Sequence, residues 1–436
     1  MKEYDILILG PAALDVNIDY TGAEDRSVGG AVTYSVPAAR AAGAKVFAAV
    51  KASENDAFVL DSITAPAEDK AILPSSATTL MRNEYFTADR ERRNSSCAAQ
   101  SDPIYPEELP EDIDFTICHL AGLLYGDFPP QLLEHLRGKC LIAADVQGFL
   151  RCRENGALVF HDWPDKLKYL PYIDFLKTDA LEAEILTGLT DRRQAARQLY
   201  EWGAKEILIS HNSEMLVYDG KEYYTCPVKA RNLSGRTGRG DTTTGAYLGK
   251  RITGSSPKHA LLYATACVSL KMETPGVFRG SAADVESYIE QFYGKQDDAR
   301  SSMPEKSCGA VVYKTEGGKR LYLIEHTKTG HTSIPKGHVE QDEVEEITAL
   351  REIKEETSLD VYLDTAFRIP VHYRTRKGKI KTVVFFTARP RSEELVPQET
   401  EIESLEWLPY EEALAALDIP AHRRALQMAE QHLAGK

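Results

Sequence analysis

Six short apolar runs decide what this chain can fold into. YDILILG (4–10), AKVFAAV (44–50), DFTICHLAG (114–122), CLIAADV (140–146), IDFLKT (173–178) and KEILIS (205–210) are nearly continuous in apolar side chains. A strand with one wet face alternates apolar and polar residues, whereas a strand covered on both faces does not. The runs therefore predict buried parallel strands. Helical periodicity between them, as in 32–43 and 191–203, supplies helices for both faces of the sheet. The predicted class is α/β.

The pattern changes after residue 293. Residues 294–307 lack apolar periodicity and are rich in Ser, Asp and Lys, which predicts a linker over 294–305. Beyond it, strands at 308–315 and 319–326 form a hairpin around EGGK. An acidic helix, further β structure at 379–388 and a closing helix near 419–434 follow. Two units result, 1–293 and 306–436, as expected for a chain of 436 residues.

The formal charge of −14 argues against nucleic acid or an anionic membrane as partner. The seven cysteines are scattered, with no CxxC pair, so neither a disulfide framework nor a zinc site is expected. No run of eighteen apolar residues occurs, and the N-terminal run carries Asp5, so neither a membrane span nor a signal peptide is expected. The expected location is cytoplasmic, with small molecules as partners.

The stretch PKGHVEQDEVEEITALREIKEETS, 335–358, holds eight carboxylates. Like charges at helical spacing repel, so such crowding needs a compensating cation. On a helix from about 343 to 356, Val344, Ile347, Leu350 and Ile353 form a buried stripe. Glu352 and Glu356 share another face, and Glu355 lies one turn from Glu352. Hard oxygen ligands of this kind select Mg²⁺ or Mn²⁺. Such a cluster suits hydrolysis of a pyrophosphate, with one Glu, here Glu355, as base and Arg351 orienting a carboxylate. Gly337, in a tight loop before the helix, can offer its carbonyl to the metal. The plainer reading is the solvated face of a surface helix.

The spacing favours the chemical reading. Gly337, five residues, Glu343, seven residues and REIKEETSL resemble the signature of the Nudix hydrolases, departing only at Ser358, where that signature has Gly. The resemblance covers 306–436. SIPKGHVE (333–340) is most similar to the diadenosine tetraphosphate hydrolases. That implies Tyr373 stacking on adenine, Lys379 or Lys381 meeting phosphates, and Glu401 as an added metal ligand or base. For Tyr373 a half-buried structural role is the alternative.

The second informative stretch is RNLSGRTGRGDTTTGAYLGK, 231–250. Gly238 and Gly240 flank Arg239, and a helix is expected to begin just after Asp241. A glycine-rich turn at a helix N-terminus presents free N–H groups to an anion. An Asp at its mouth can take a proton from an attacking hydroxyl. Asp is also a good N-cap, and that role stays open.

VGGAVTYSVPAARAAGAKV (28–46), LKTDALEAEILTG (176–188) and this turn, in this order, resemble the ribokinase-like (PfkB) sugar and nucleoside kinases over residues 1–293. The resemblance implies a three-layer α/β/α domain with a small β lid, followed by a Nudix α/β/α sandwich. It implies Asp241 as catalytic base and Gly238 and Gly240 as anion hole. Asp15, near the end of the first strand, would hold substrate hydroxyls with Gly29 and Gly30. Asp179 and Glu182 would organise Mg²⁺ through water. A homodimer through the lid sheet is implied as well.

Some positions depart from the family. Arg239 replaces a small residue and could contact the γ-phosphate. In ISHNSEMLVYDG (209–220), Ser210 replaces Thr, and Asn212 and Met215 replace glycines that normally approach the nucleotide. Ser210 and Asn212 still offer donors to ATP. Tyr34 stands where many sugar kinases have Asn, and its ring could stack on the acceptor. Asp145, Gln147 and Arg151 fall near a strand end, where ligands bind in such sheets. The expectation is a bifunctional enzyme: ATP-dependent phosphorylation of a sugar or nucleoside hydroxyl, and Mg²⁺-dependent hydrolysis of a nucleoside polyphosphate. The alternative is a first unit that only senses a sugar or nucleoside and regulates the hydrolase.

Overall fold

A computed structural model describes residues 2–86, 93–294, 305–340, 343–374, 380–391, 394–398 and 400–434. Lys379 and linker positions 295–304 lie outside the described residues. The chain divides into two compact units, one spanning 1–137 and 141–302, the other 138–140 and 303–436.

The first unit is built on a nine-stranded sheet. Its order is Tyr223–Pro227, Glu214–Tyr218, Glu206–Ser210, Phe175–Asp179, Leu141–Asp145, Ile113–Leu120, Lys2–Pro11, Val46–Ser53, Lys70–Ser75. The seven strands from Glu206–Ser210 to Lys70–Ser75 run parallel, and the remaining two extend one edge as antiparallel hairpins. All six apolar runs are strands of this sheet. Ile6, Leu7, Ile8 and Leu9 are fully buried, as a sheet covered on both faces requires. Helices Ala31–Ala41, Arg239–Ile252 and Pro257–Met272 pack together.

The lid is a separate six-stranded sheet, in the order Arg151–Glu154, Ala157–Phe160, Arg93–Ala99, Thr79–Tyr85, Ala13–Ile18, Glu24–Gly29. Asp15 therefore belongs to the second strand, in the lid, not to the end of the first strand, which stops at Pro11.

The second unit has a seven-stranded β framework. The hairpin strands are Glu305–Glu316 and Lys319–Thr327, and the long strands Val361–Arg374 and Ile380–Pro390 pair with each other. The acidic helix is Glu345–Thr357 and the last helix Pro420–Ala434. Of the expected apolar stripe, Ile353 is buried, but Val344, Ile347 and Leu350 are exposed. The helix instead turns Thr348, Ala349, Ile353, Glu356 and Thr357 inward. One of its carboxylates is thereby buried.

Candidate active sites

In the first unit the glycine turn begins a helix earlier than the sequence suggests. Helix Arg239–Ile252 starts at Arg239, with Gly238 at the N-cap and Asp241 inside the first turn. The N-cap role for Asp241 is therefore excluded. Gly238 has φ 75°, and a side-chain carbon there would overlap the Tyr34 ring. Only glycine meets both demands without strain. Gly240 is held open for another reason: a Cβ there would lie 2.9 Å from Lys177 Nζ.

Lys177 was hidden within an apolar run. Its ammonium is 2.8 Å from Asp145 Oδ2 and 3.9 Å from Glu182 Oε2, and all three side chains are buried. Burial alone would lower its pKa, but Asp145, Glu182 and Asp241 outweigh that and raise it. Burial, with Asp145 adding to it, pushes Asp241 up to about 6, against the pull of Lys177 and Arg151. Lys271 is a second buried cation that the sequence did not flag. It donates to the carbonyls of Gly235, at 2.6 Å, and Thr237, fixing the loop before the turn. Burial lowers its pKa to about 8, with Asp241 opposing.

Asp179 caps helix Ala180–Thr187 in a capping box. Glu182 N–H donates to Asp179 Oδ1 at 2.8 Å, and Asp179 N–H donates to Glu182 Oε2 at 2.7 Å. Burial raises Glu182 to about 7, with Lys177 opposing and Asp145 and Asp179 adding to the rise. The Asp15 carboxylate rests against Gly29, so a side chain at Gly29 would overlap it; Gly30 packs under the Pro11–Ala13 backbone. Tyr34 lies between Gly238 and Lys271, whose Nζ is 5.2 Å from the ring centroid. The turn residues, Asp241, Lys177, Asp145, Glu182 and Asp179 thus form one connected group.

Arg239 donates through Nη1 to Asn212 Oδ1. Asn212 occupies the short turn joining strands Glu206–Ser210 and Glu214–Tyr218. Ser210 behaves otherwise: it is buried, with its hydroxyl 3.5 Å from the Thr178 carbonyl. Gln147 Nε2 lies 3.4 Å from the Gly122 carbonyl, and Arg151 Nε donates to the Leu123 carbonyl at 2.8 Å.

In the second unit Arg351 answers the crowding of carboxylates. Its guanidinium bonds Glu343 through Nε at 2.8 Å and Nη2 at 2.9 Å, Glu352 at 2.8 Å, Glu355 at 3.1 Å and the His338 carbonyl at 2.9 Å. The bonds from Arg351 and Thr348 hold Glu343 down near 2. A Cβ at Gly337 would overlap the Glu352 carboxylate, so glycine there lets the strand Lys336–His338 approach the helix. Glu356 turns inward, where Oε2 accepts from the Lys336 N–H at 2.7 Å.

Among the described residues, no three His, Cys, Asp or Glu side chains are gathered in a metal-holding arrangement. Glu352 and Glu355 are bonded to Arg351, and Glu356 to the Lys336 amide. The donor set nevertheless suits a hard cation. Glu325 is fully buried with Oε2 unpartnered, and Glu356 is pushed up to about 9 by burial first and then by Glu325. Buried negative charge in excess of its partners is what a divalent ion offsets.

Lys336 also went unflagged. Its Nζ is 3.4 Å from Glu325 Oε1, which also accepts from Ser333 Oγ at 2.7 Å. Tyr373 pairs across the strands with Lys381 and stands edge-on to His422, ring centroids 5.6 Å apart. Both His422 ring nitrogens are buried without a partner. Glu401 is exposed, and no hydrogen bond or ion pair among the described residues joins its carboxylate to the acidic helix.

Comparison with known proteins matches both halves. The pfkB family carbohydrate kinase model matches residues 85–282 and the NUDIX domain model 303–429. The chain is similar to a solved pyrophosphate-dependent kinase in the ribokinase family, complexed with a pyrophosphate analog and myo-inositol. Identity is 35%, coverage 65% of this chain and 99% of that one, and the TM-score 0.58. A second solved structure, 34% identical with TM-score 0.57, covers 66% of this chain and 99% of that one. It is described as a pyrophosphate-dependent myo-inositol-1 kinase converted into a myo-inositol-3 kinase by replacing one asparagine and one serine with leucine. The second unit is similar to the Caenorhabditis elegans bis(5'-nucleosyl)-tetraphosphatase [asymmetrical], 28% identical over 142 residues, 30% of this chain and 99% of that protein. A cytidine kinase of Thermococcus kodakarensis is 40% identical over 70 residues, 15% of this chain and only 25% of its own length. The chain is a member of the ribokinase-like pfkB family of carbohydrate kinases and carries a NUDIX hydrolase domain at its C-terminal end.

Proposed function

We propose that the first unit transfers a phosphoryl group from pyrophosphate to a hydroxyl of a small polyol of the myo-inositol type. The observation that carries this reading is the bond from Arg239 to Asn212. It spans the turn that relatives using a nucleotide keep rich in glycine, and it adds a cation beside the anion hole. A short inorganic donor gains from the cation and has no nucleoside to accommodate. The two relatives at 34–35% identity, both pyrophosphate-dependent, support the same donor.

In this reading Asp241 accepts the proton of the attacking hydroxyl, and its raised pKa suits a base working near neutrality. The N–H groups at Gly238–Asp241 receive the transferring phosphoryl, and inorganic phosphate leaves. Asp15 and the Gly29–Gly30 backbone hold acceptor hydroxyls. Asp179 and Glu182 would hold Mg²⁺ through water, supplying charge neutralisation on the donor.

The second unit hydrolyses a dinucleoside polyphosphate in the same proposal. Glu352, Glu355, Glu356 and the Gly337 carbonyl would hold the divalent ion, which lowers the pKa of the attacking water. Glu355, the most exposed of the three carboxylates, is placed to take the proton. Lys336 and Lys381 face the phosphates, and Tyr373 with His422 offers an aromatic wall to a base.

The test uses the full chain with myo-inositol and either pyrophosphate or ATP, read by ³¹P NMR. Pyrophosphate should support turnover at least about tenfold faster than ATP. The reverse order would restore ATP as donor. No phosphate ester from any polyol, sugar or nucleoside with either donor would leave the sensor reading of this unit. For the second unit, diadenosine tetraphosphate should yield ATP and AMP by chromatography.

A further inference from the structure

Lys51, Lys177 and Lys271 of the first unit are buried. A buried lysine ordinarily needs a paired carboxylate. Lys51 has Glu108 and Lys177 has Asp145. Lys271 is held in a different way. It is only 3% exposed, and its ammonium donates to two backbone carbonyls, those of Gly235 and Thr237. The Tyr34 ring lies on it, with the centroid 5.2 Å from Nζ. Asp241 acts on it through space. Carbonyl oxygens and an aromatic ring are what proteins offer to a bare monovalent cation.

The two carbonyls flank Arg236, just before the Gly238 N-cap. The loop is pressed against the end of the helix that carries Lys271. Gly235 N–H donates to the Met272 carbonyl at 2.7 Å, and a Cβ at Gly235 would lie 2.0 Å from the Thr274 carbonyl oxygen. A peptide is planar and trans, so the Thr237 carbonyl and the Gly238 N–H point in opposite directions from one rigid plate. Holding the oxygen on Lys271 aims that N–H the other way. It is the first of the N–H groups offered to the transferring phosphoryl group. A cation on the oxygen also polarises the amide and strengthens the N–H as a donor.

We propose that Lys271 is a positioning residue that acts as a tethered monovalent cation. Its ammonium fills a carbonyl-lined site behind the anion hole, and a free ammonium or potassium ion occupies that site once the side chain is cut away. Wild type therefore needs no monovalent ion from solution. This rests on the kinase reading above. It holds for pyrophosphate and ATP alike, because either donor delivers its phosphoryl group to the same N–H groups.

The experiment follows phosphate ester formation by the full chain, from pyrophosphate and myo-inositol, with tetramethylammonium as the only cation besides Mg²⁺. Wild type should keep its rate within about twofold when potassium or ammonium chloride replaces tetramethylammonium chloride at equal ionic strength. Lys271→Ala should lose about 10²-fold or more in kcat, and ammonium or potassium should restore at least about tenfold of that loss. Lys271→Met fills the same space without charge, so it should lose as much and gain nothing from either ion. Either variant working at the wild-type rate overturns the proposal. So does a loss in Lys271→Ala that neither ion relieves, or a wild type stimulated about fivefold or more by potassium. Should the variants fail to fold, the wild-type response to potassium decides alone. A wild type that makes no phosphate ester with pyrophosphate or with ATP defeats the kinase reading and this inference with it, whereas the other outcomes leave that reading standing.

Discussion

Lys177 and Asp145 stand opposite each other on adjacent parallel strands, and their ammonium and carboxylate meet at 2.8 Å. The pair lies against the Gly240 backbone, where a transferring phosphoryl group would gather charge. Gly240→Ala would press a methyl against Nζ and displace it. We expect kcat of the kinase reaction to fall about 10²-fold or more, with the melting temperature within a few degrees of wild type. Lys177→Met should lose as much activity and also stability, because it leaves Asp145 and Glu182 without their buried cation. Steady-state rates and thermal melts on both variants check this; full activity in Gly240→Ala would refute the placement.

Asp241 sets a pH limit. Its carboxyl is raised to about 6 by burial first and by Asp145 second, and only the ionised form can accept a proton. Kinase kcat should therefore fall as pH drops through about 6, roughly tenfold per unit below it. The stability sign is the opposite. A carboxyl whose folded pKa exceeds its unfolded value costs stability once ionised, fully above pH 6 and not at all below the ordinary value near 4. Asp241→Asn should thus abolish turnover yet be more stable at pH 8, by up to about 3 kcal/mol. A lower melting point for the variant at pH 8 contradicts the assignment.

The kinase core contains a buried pair with no catalytic part. Arg251 Nε and Nη2 meet Glu206 at 2.9 and 3.1 Å, Arg251 Nη1 donates to the Ser255 carbonyl at 2.6 Å, and the Tyr247 hydroxyl also bonds Glu206. Arg251→Met strands the Glu206 charge and should cost about 3–5 kcal/mol in denaturant unfolding. A loss under about 1 kcal/mol would show the pair to be dispensable.

Hydrolysis by the second unit should stop on chelation and resume with Mg²⁺ or Mn²⁺. Glu356→Gln should lower the rate about 10²-fold or more while leaving the kinase reaction at its wild-type rate. Measuring both reactions on one preparation separates the two units. Parallel loss of both would mean that the substitution unfolds the chain.

The parallel sheet was legible because burial on both faces leaves an unbroken apolar signature. The lid was not placed by that route: its strands are short, alternate weakly and carry Asn, Ser and Arg, which reads as loop. Lys177 escaped notice within IDFLKT because a lone cation at a strand end looks like the edge of an apolar run. The glycine turn and the acidic signature were visible as motifs. The departure of their side chains from the expected pattern depended on partners remote in sequence. Lys336 competes for Glu356, Arg351 for Glu352 and Glu355, and Gly238, not Asp241, caps the helix. Residue spacing along one helix cannot reveal a competitor from another element.

Ser358 ends the acidic helix at φ 63°, a left-handed position where glycine would be at ease. Its hydroxyl donates to the Val396 carbonyl at 3.2 Å, and Val396 and Gln398 in turn donate to the carbonyls of Thr357 and Glu356. The serine thus exchanges local backbone comfort for a tether on a neighbouring loop. Glycine here should relax the turn while removing one of that loop's three bonds to the helix end, so a substitution toward the family norm would trade a tether for backbone ease.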